Sequence, residues 1–341
     1  MLLILTQPLD AHADRVQEDL RRRGAPVVRL DTAEFPAQAE VSLAYDARGR
    51  ARYTLRRGAD EVDLRDVTAV WDRRPRDPVP PAAIADGPAR DYLVAACRTF
   101  LQDAWNALPC LWVPARRPVV MRAQLKASQL ALAGALGFTL PPTLVSNSPA
   151  DVLDFYRRHE GQIVSKVVGF PAVEADGTTF GRYTEAVAPR DVGYAPAIRA
   201  CPMIFQAYVP KQVEVRVTVV GTEVFAAEIH SQATNRTRVD WRRYDHFGTP
   251  YRRHDLPPAL ARRCRRLVQR LGLHFGAVDL ALTPDGRYVF FEINPNGQYL
   301  WIEHATGLPI SAAVGDLLLS GTHRAGIRSP GAGAAPAFPA A

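Results

Sequence analysis

Lysine is nearly absent. Of the 42 basic residues in this 341-residue chain only three are lysine, Lys126, Lys166 and Lys211, and the other 39 are arginine. Cysteine is scarce too: Cys97, Cys110, Cys201 and Cys264 stand far apart, with no Cys-x-x-Cys and no Cys/His pairing at zinc spacing. That excludes a disulfide scaffold and a zinc module, and the thiols are expected to be reduced in a cytoplasmic protein. No run approaches the roughly 20 apolar residues of a membrane span. The opening Met1-Leu2-Leu3-Ile4-Leu5-Thr6 is too short for a signal peptide, so neither membrane nor secretion is expected. Also missing are G-x-x-x-x-G-K-[ST] and G-x-G-x-x-G, which removes P-loop and Rossmann nucleotide sites. There is no Ser-His-Asp set, no reactive thiol and no internal repeat.

What is present suits a globular enzyme of two or three lobes: 47% hydrophobic and 23% charged residues, enough for a real core. The net charge of +7 admits nucleic acid, an acidic substrate or ATP. Two of the denser basic clusters, Arg21-Arg22-Arg23 and Arg262-Arg263 with Arg265-Arg266, fall on helix-like segments. They read as solvated faces, and nucleic acid is not expected. Where so arginine-rich a chain keeps lysine, a compact ammonium is wanted in place of a planar fork.

Periodicity predicts an α/β protein. Residues 1–6, 11–23 and 27–30 read as a β-α-β start closed by Gly24, followed by strands at 41–45, 51–55 and 69–71 and a long helix at 89–108. Proline-rich stretches at 76–81 and 113–118 punctuate this lobe, and the second is the first domain boundary. A helix at 122–136 is predicted to bury Leu125, Leu132 and Leu136. Strands at 143–146, 163–168, 183–188, 203–207, 213–220 and 223–230 follow, with a helix at 150–159 and a mobile loop at 169–182. Helix 258–271, strands 276–282 and 288–294 and a closing helix at 310–319 complete the pattern. From about Arg328 the Gly/Ala/Pro composition predicts a disordered tail.

Two constellations carry chemistry. In Val278-Asp279-Leu280 and Phe291-Glu292-Ile293-Asn294, two strands joined by the Pro284-Asp285-Gly286 turn bring Asp279 near Glu292. Alternation puts Glu292 and Asn294 on one face, with Phe291 and Ile293 in the core. Two carboxylates and an amide oxygen suit Mg²⁺, whereas a plain hairpin with surface acids leaves their apolar flanks unexplained. Lys166 ends the apolar run Ile163-Val164-Ser165, where an ammonium is costly unless it meets an anion. Phe205-Gln206-Ala207-Tyr208-Val209 could present backbone groups to an adenine edge. Polar residues alternate in Val213-Glu214-Val215-Arg216-Val217-Thr218, so Glu214 could accept ribose hydroxyls and Arg216 hold phosphate or acyl oxygens, unless this is an edge strand with a solvated face. Arg73 and Arg74 either bind substrate carboxylates or begin a surface loop. Arg242 either faces the site or belongs to a surface basic pair, and Lys211 either touches nucleotide or stands exposed. His230 and His246 read as ordinary polar residues.

The order of elements from Arg122 to Leu319 resembles the ATP-grasp superfamily, whose two α+β lobes clamp ATP. The lysine ahead of the small lobe and the lysine ending one of its strands correspond to Lys126 and Lys166. The adenine hinge corresponds to Gln206, Ala207, Tyr208 and Val209, the ribose acid to Glu214, and the metal set to Asp279, Glu292 and Asn294. More narrowly, Val70-Trp71-Asp72-Arg73-Arg74-Pro75, Asp240-Trp241-Arg242 and Glu292-Ile293-Asn294-Pro295-Asn296-Gly297-Gln298 resemble the graspetide (microviridin-type) ribosomal-peptide maturases. The resemblance implies a pre-ATP-grasp-like α/β domain at 1–118, a small lobe at 119–210 with a lid at 169–182, a C-terminal lobe at 211–327 and a tail at 328–341. It further implies ATP and Mg²⁺, a precursor peptide with an acidic core, and acyl phosphates that close into ω-ester or ω-amide rings. Arg216 and Arg242 then stand near the transferred phosphoryl group, and a homodimer is the expected assembly. A ligase adding a free amino acid, or an inactive nucleotide-binding regulator, are the competing functions.

Overall fold

Leu2–Thr6 (β1) is buried along its whole length, and the chain turns from it straight into a capped helix. Asp10 accepts from the His12 and Ala13 backbone N–H groups, starting α1 (Ala11–Arg22), and Arg21 and Arg22 favour its C-terminal dipole. The computed structural model describes residues 1–169, 172–175, 178–243 and 249–326. Contacts divide the chain into two compact units, Met1–Arg117 with Ser311 onward, and Pro118–Ile310.

In the first unit, β2 (Val27–Leu30), β3 (Glu40–Tyr45), β4 (Ala51–Arg57), β5 (Asp60–Asp63), β6 (Ala69–Arg74), α2 (Gly87–Asn106) and β7 (Leu111–Val113) follow α1. A parallel sheet of order β2-β1-β6-β7 stands beside an antiparallel β3-β4-β5 sheet. Leu3, Leu5 and Val70 share a core with Leu101, Trp105 and Trp112, each such buried side chain contributing roughly 1.5–3 kcal/mol.

The second unit runs through α3 (Arg117–Ala123), α4 (Lys126–Ala135), β8 (Thr143–Ser146), α5 (Pro149–Arg158), β9 (Ile163–Val167), β10 (Ala172–Ala175), β11 (Thr178–Gly181), β12 (Glu185–Ala186), α6 (Pro189–Gly193), α7 (Ala195–Ala200), β13 (Met203–Ala207), β14 (Val213–Val220), β15 (Glu223–Ile229), β16 (Tyr251–Arg253), α8 (Pro258–Arg270), β17 (Phe275–Leu282), β18 (Tyr288–Asn294) and α9 (Leu300–Thr306). One sheet has the order β12-β9-β13-β8, a second β16-β15-β14-β17-β18, and β10 pairs with β11 alone. The helix α8 covers β14, β15 and β17 through Leu260, Cys264, Leu267 and Val268, an i, i+4, i+7, i+8 stripe. Its partner strand β14 is buried at every position. Valines meet the helix side, so the opposite face, carrying Glu214, Arg216 and Thr218, must find polar partners.

Three expectations change. Helix 122–136 is two helices, broken where Leu125 adopts an extended backbone and Lys126 opens α4. The buried face of α4 is Gln129 and Ala133, whereas Leu125 is exposed. The Gln129 amide makes that possible: its Nε2 donates to Ala123 O (2.6 Å) and Ile293 O (2.8 Å), and its Oε1 accepts from Ile293 N. The loop read at 169–182 contains the β10–β11 hairpin. Finally, α10 (Ile310–Gly326) lies against the first unit, since a Cβ on Gly321 would come within 2.6 Å of Thr68 O, and one on Gly315 within 3.2 Å of Asp19. Residues 328–341 and His246 fall outside the described residues. Among the described residues no helix is long and apolar enough to cross a membrane.

Candidate functional site

Strands β14, β17 and β18 lie side by side, and their register sets Arg216 opposite Asp279 and Asp279 opposite Glu292. Arg216 donates from Nη1 to both Asp279 oxygens at 2.6 Å. From the start of α4, Lys126 brings Nζ to 2.7 Å from Glu292 Oε2. Arg242 places Nη1 4.0 Å from Glu292 Oε1 and holds Asp240 with Nη2 (2.7 Å) and Nε (2.9 Å). Lys166, on β9, lines the same pocket as Arg242, Asp279 and Glu292. Four cations and three carboxylates thus meet in one place.

Their electrostatics follow from burial and proximity. Burial pushes the Glu292 carboxyl up, but Lys126, Lys166 and Arg242 outweigh it and bring it down to about 2. Burial raises Asp279, against the charge of Arg216 and with help from the like charge of Glu292. The Lys166 ammonium is lowered, chiefly by burial and also by Lys126 and Arg242, with Glu292 opposing. Cations so crowded want anionic company, and oxygen-rich polyanions suit them. Paired hard carboxylates in that setting also match the donor chemistry of Mg²⁺.

The rest of the pocket wall includes the strand end and turn from Gln206 to Val209, with Lys211, Glu214, Val239 and Phe291. Here the backbone is partly committed: Ala207 N–H donates to Pro142 O (3.0 Å) and Tyr208 N–H to Gln162 O (2.8 Å). The Val209 N–H has no partner among the described residues. Gln206 spends its Nε2 on Thr143 Oγ1. Glu214 is buried, its Oε1 accepting from Ser231 Oγ and Lys211 Nζ, each at 2.9 Å. Lys211 is therefore buried in the pocket wall.

Phe291 departs from the expected core position. The β17–β18 register pairs Asp279 with Glu292 but Leu280 with Phe290, leaving Phe291 as the extra residue of a bulge. A bulge breaks strict alternation and re-aims its side chain, here into the pocket. Asn294 sits opposite Ala277, and its Oδ1 accepts from Asn296 N–H at 3.0 Å. It is not among the residues lining the pocket. Nearby, Gly297 allows the chain to pass, as a Cβ there would lie 2.3 Å from that of Ala277.

Arg73 and Arg74 belong to the first unit. Arg73 is 3% exposed, with Nε 3.5 Å from Asp10 Oδ2, and it is the bulge residue where Leu5 pairs with Asp72 but Thr6 with Arg74. Arg74 is exposed. Sequence reasoning gives Asp240 no role beyond its place in the Asp240-Trp241-Arg242 string, and it passes over Ser231, Gln129 and Thr184. Asp240 accepts from Thr184 N–H (2.8 Å) as well as from Arg242. Its place two residues before an arginine that had been singled out was the available signal. Nothing local marks the other three.

The first 117 residues match the family model described as the MvdD pre-ATP grasp domain. A RiPP-associated ATP-grasp ligase of Chryseobacterium gregarium, solved with ADP and a leader and core peptide, is 27% identical (TM-score 0.86; 94% of this chain, 96% of that one). The macrocyclase MdnC of Microcystis aeruginosa MRC, bound to its precursor peptide MdnA, is 29% identical (TM-score 0.82; 94% and 99%). The macrocyclase MdnB of the same organism is 32% identical (TM-score 0.77; 93% and 98%). None of the curated proteins matches the chain.

Proposed function

The chain belongs to the ATP-grasp ligases, in the graspetide branch that includes the microviridin macrocyclases, and from that premise we propose that it cyclises a ribosomal precursor peptide. ATP phosphorylates an Asp or Glu side chain of the peptide. A Ser or Thr hydroxyl, or a Lys amine, of the same peptide then displaces phosphate to close an ω-ester or ω-amide. The carrying observation is the convergence of Lys126, Lys166, Arg216 and Arg242 on the register-paired Asp279 and Glu292.

Catalysis here is positioning and charge neutralisation. Lys126 and Lys166 hold the phosphate chain. Arg216 and Arg242 face the group being transferred, each pre-oriented by a carboxylate, Asp279 and Asp240. The Val209 N–H reads the adenine edge, with Phe291 on the pocket wall and Glu214 toward the ribose. Asp279 and Glu292 would hold Mg²⁺, with Asn294, two residues beyond Glu292 on β18, as the third oxygen donor, and the ion would neutralise phosphate charge. In this reading residues 119–210 and 211–310 are the clamping lobes, and exposed Arg74 contacts acidic peptide side chains. The excess of basic residues favours an acidic core. The complexes of two similar enzymes with leader, core or precursor peptides support a peptide substrate.

The test is mass spectrometry of a candidate precursor peptide with a Ser/Thr- and Asp/Glu-rich core, incubated with enzyme, ATP and Mg²⁺. Each ring lowers the mass by about 18 Da, because activation and closure together remove one water. A mass increase marks ligation of a free amino acid, and an unchanged mass contradicts the reading.

A further inference from the structure

All three lysines of this arginine-dominated chain are placed in or against one pocket. Lys126 and Lys166 have phosphates to answer to, but Lys211 lies at the other end, beside the hinge, where no phosphate is needed. Its ammonium sits 2.9 Å from Glu214 Oε1 and donates to Val239 O at 3.2 Å, and it also lies 5.7 Å from the centre of the Phe291 ring. Its side chain is 5% exposed and that of Glu214 8%. Burying such a pair is costly, so its geometry needs a reason.

The two oxygens of Glu214 are not equivalent. Oε1 accepts from both Lys211 Nζ and Ser231 Oγ. No group among the described residues donates to Oε2, and Oε2 is not among the buried polar atoms that lack a partner. It is therefore left open on the pocket side, in a wall that Glu214 helps to form. Two donors on one oxygen fix the carboxylate plane and keep its second oxygen aimed at the cavity.

We propose that Lys211, together with Ser231, is a positioning residue that turns Glu214 Oε2 toward a ribose hydroxyl and makes the pocket selective for ribonucleotides over deoxyribonucleotides. This rests on the nucleotide reading of the pocket and deepens it. A buried carboxylate oxygen offered to a hydroxyl rejects the analogue that lacks one, since the oxygen is then desolvated without a donor. Burial raises the Glu214 carboxyl on balance, and the adjacent ammonium of Lys211 opposes that rise and favours the charged, acceptor-only form. An uncharged residue at 211 would leave Glu214 freer to protonate and to rotate. Lysine suits this place better than arginine because one compact ammonium can serve a single carboxylate oxygen and a carbonyl at once.

The experiment measures binding of ATP and of its 2′-deoxy and 3′-deoxy analogues to the full-length enzyme by calorimetry, with KM and kcat in the peptide reaction. The wild-type enzyme is expected to disfavour at least one analogue by roughly tenfold or more. Lys211→Met keeps the side-chain stem, and it should bring that ratio to within about twofold of unity. The cost should appear in KM for ATP rather than in kcat, and Lys211→Arg should restore the ratio in part. Ser231→Ala should move the ratio the same way, and it carries the test should Lys211→Met not fold. A wild-type ratio retained in Lys211→Met, or in Ser231→Ala where that variant stands in, overturns the inference. Glu214→Ala separates the two levels. If it leaves ATP affinity untouched, Glu214 does not meet the ribose and the pocket reading itself fails. If it weakens ATP while Lys211→Met keeps the wild-type ratio, only the positioning role fails.

Discussion

Lys126 Nζ stands 2.7 Å from Glu292 Oε2, linking the first residue of a helix to the middle of a strand far along the chain. The link holds because Gln129, one turn further on, hydrogen-bonds both backbone groups of the neighbouring Ile293. Lys126 therefore cannot drift from the acid it faces.

Glu292→Gln removes the carboxylate around which Lys126, Lys166 and Arg242 gather. The variant is expected to keep its circular dichroism spectrum and to lose ATP turnover by at least about 100-fold. Asp279→Asn should behave alike, because Arg216 loses the charge that orients it. Wild-type turnover in either variant would remove these residues from the centre.

Lys166→Arg preserves charge and changes shape. At a half-buried strand position a planar fork replaces a point charge, and nucleotide affinity should weaken roughly tenfold in a direct titration. An unchanged affinity would show that Lys166 does not meet the phosphates.

The pair Arg73 and Arg74 should separate. Arg73 is buried against Asp10, which also caps α1, so Arg73→Ala breaks a buried pair and should destabilise by about 3–5 kcal/mol. Arg74→Ala should leave urea unfolding nearly unchanged and weaken peptide cyclisation more than ATP binding. Equal losses of nucleotide and peptide affinity would place the peptide elsewhere.

Much of this was legible. The parallel β-α-β start, the β17–β18 hairpin and the polar face of β14 each follow from a periodicity that side-chain burial enforces. Two failures were local. Counting alternate residues puts Phe291 in the core, and a one-residue bulge changes that count. Helical periodicity puts Leu125 on a buried face, but a buried glutamine with four-way hydrogen-bonding capacity decides how the helix turns. Ser231 and Thr184 escaped notice because their partners, Glu214 and Asp240, are distant in sequence.

Asp72 yields a pH prediction. Burial lifts its carboxyl to about 6, partly opposed by Arg117, and its Oδ1 has no hydrogen-bond partner. Between the unfolded value near 4 and the folded value the native state binds the extra proton, so stability falls as pH rises through that window. The loss amounts to roughly 1–3 kcal/mol at neutral pH. Asp72→Asn should therefore be more stable than wild type by urea denaturation at a pH of about 7.5, with the gap closing toward a pH of about 4. A gap independent of pH would contradict this.

On this mechanism the pocket makes an acyl phosphate on a peptide side chain. Precursor peptide carrying heavy oxygen in its Asp and Glu carboxylates tests it most directly, with the released nucleotide and phosphate analysed by mass spectrometry after ring closure. The account predicts ADP, and inorganic phosphate that has gained one labelled oxygen for each ring formed. AMP bearing the label, or phosphate without it, would contradict the account.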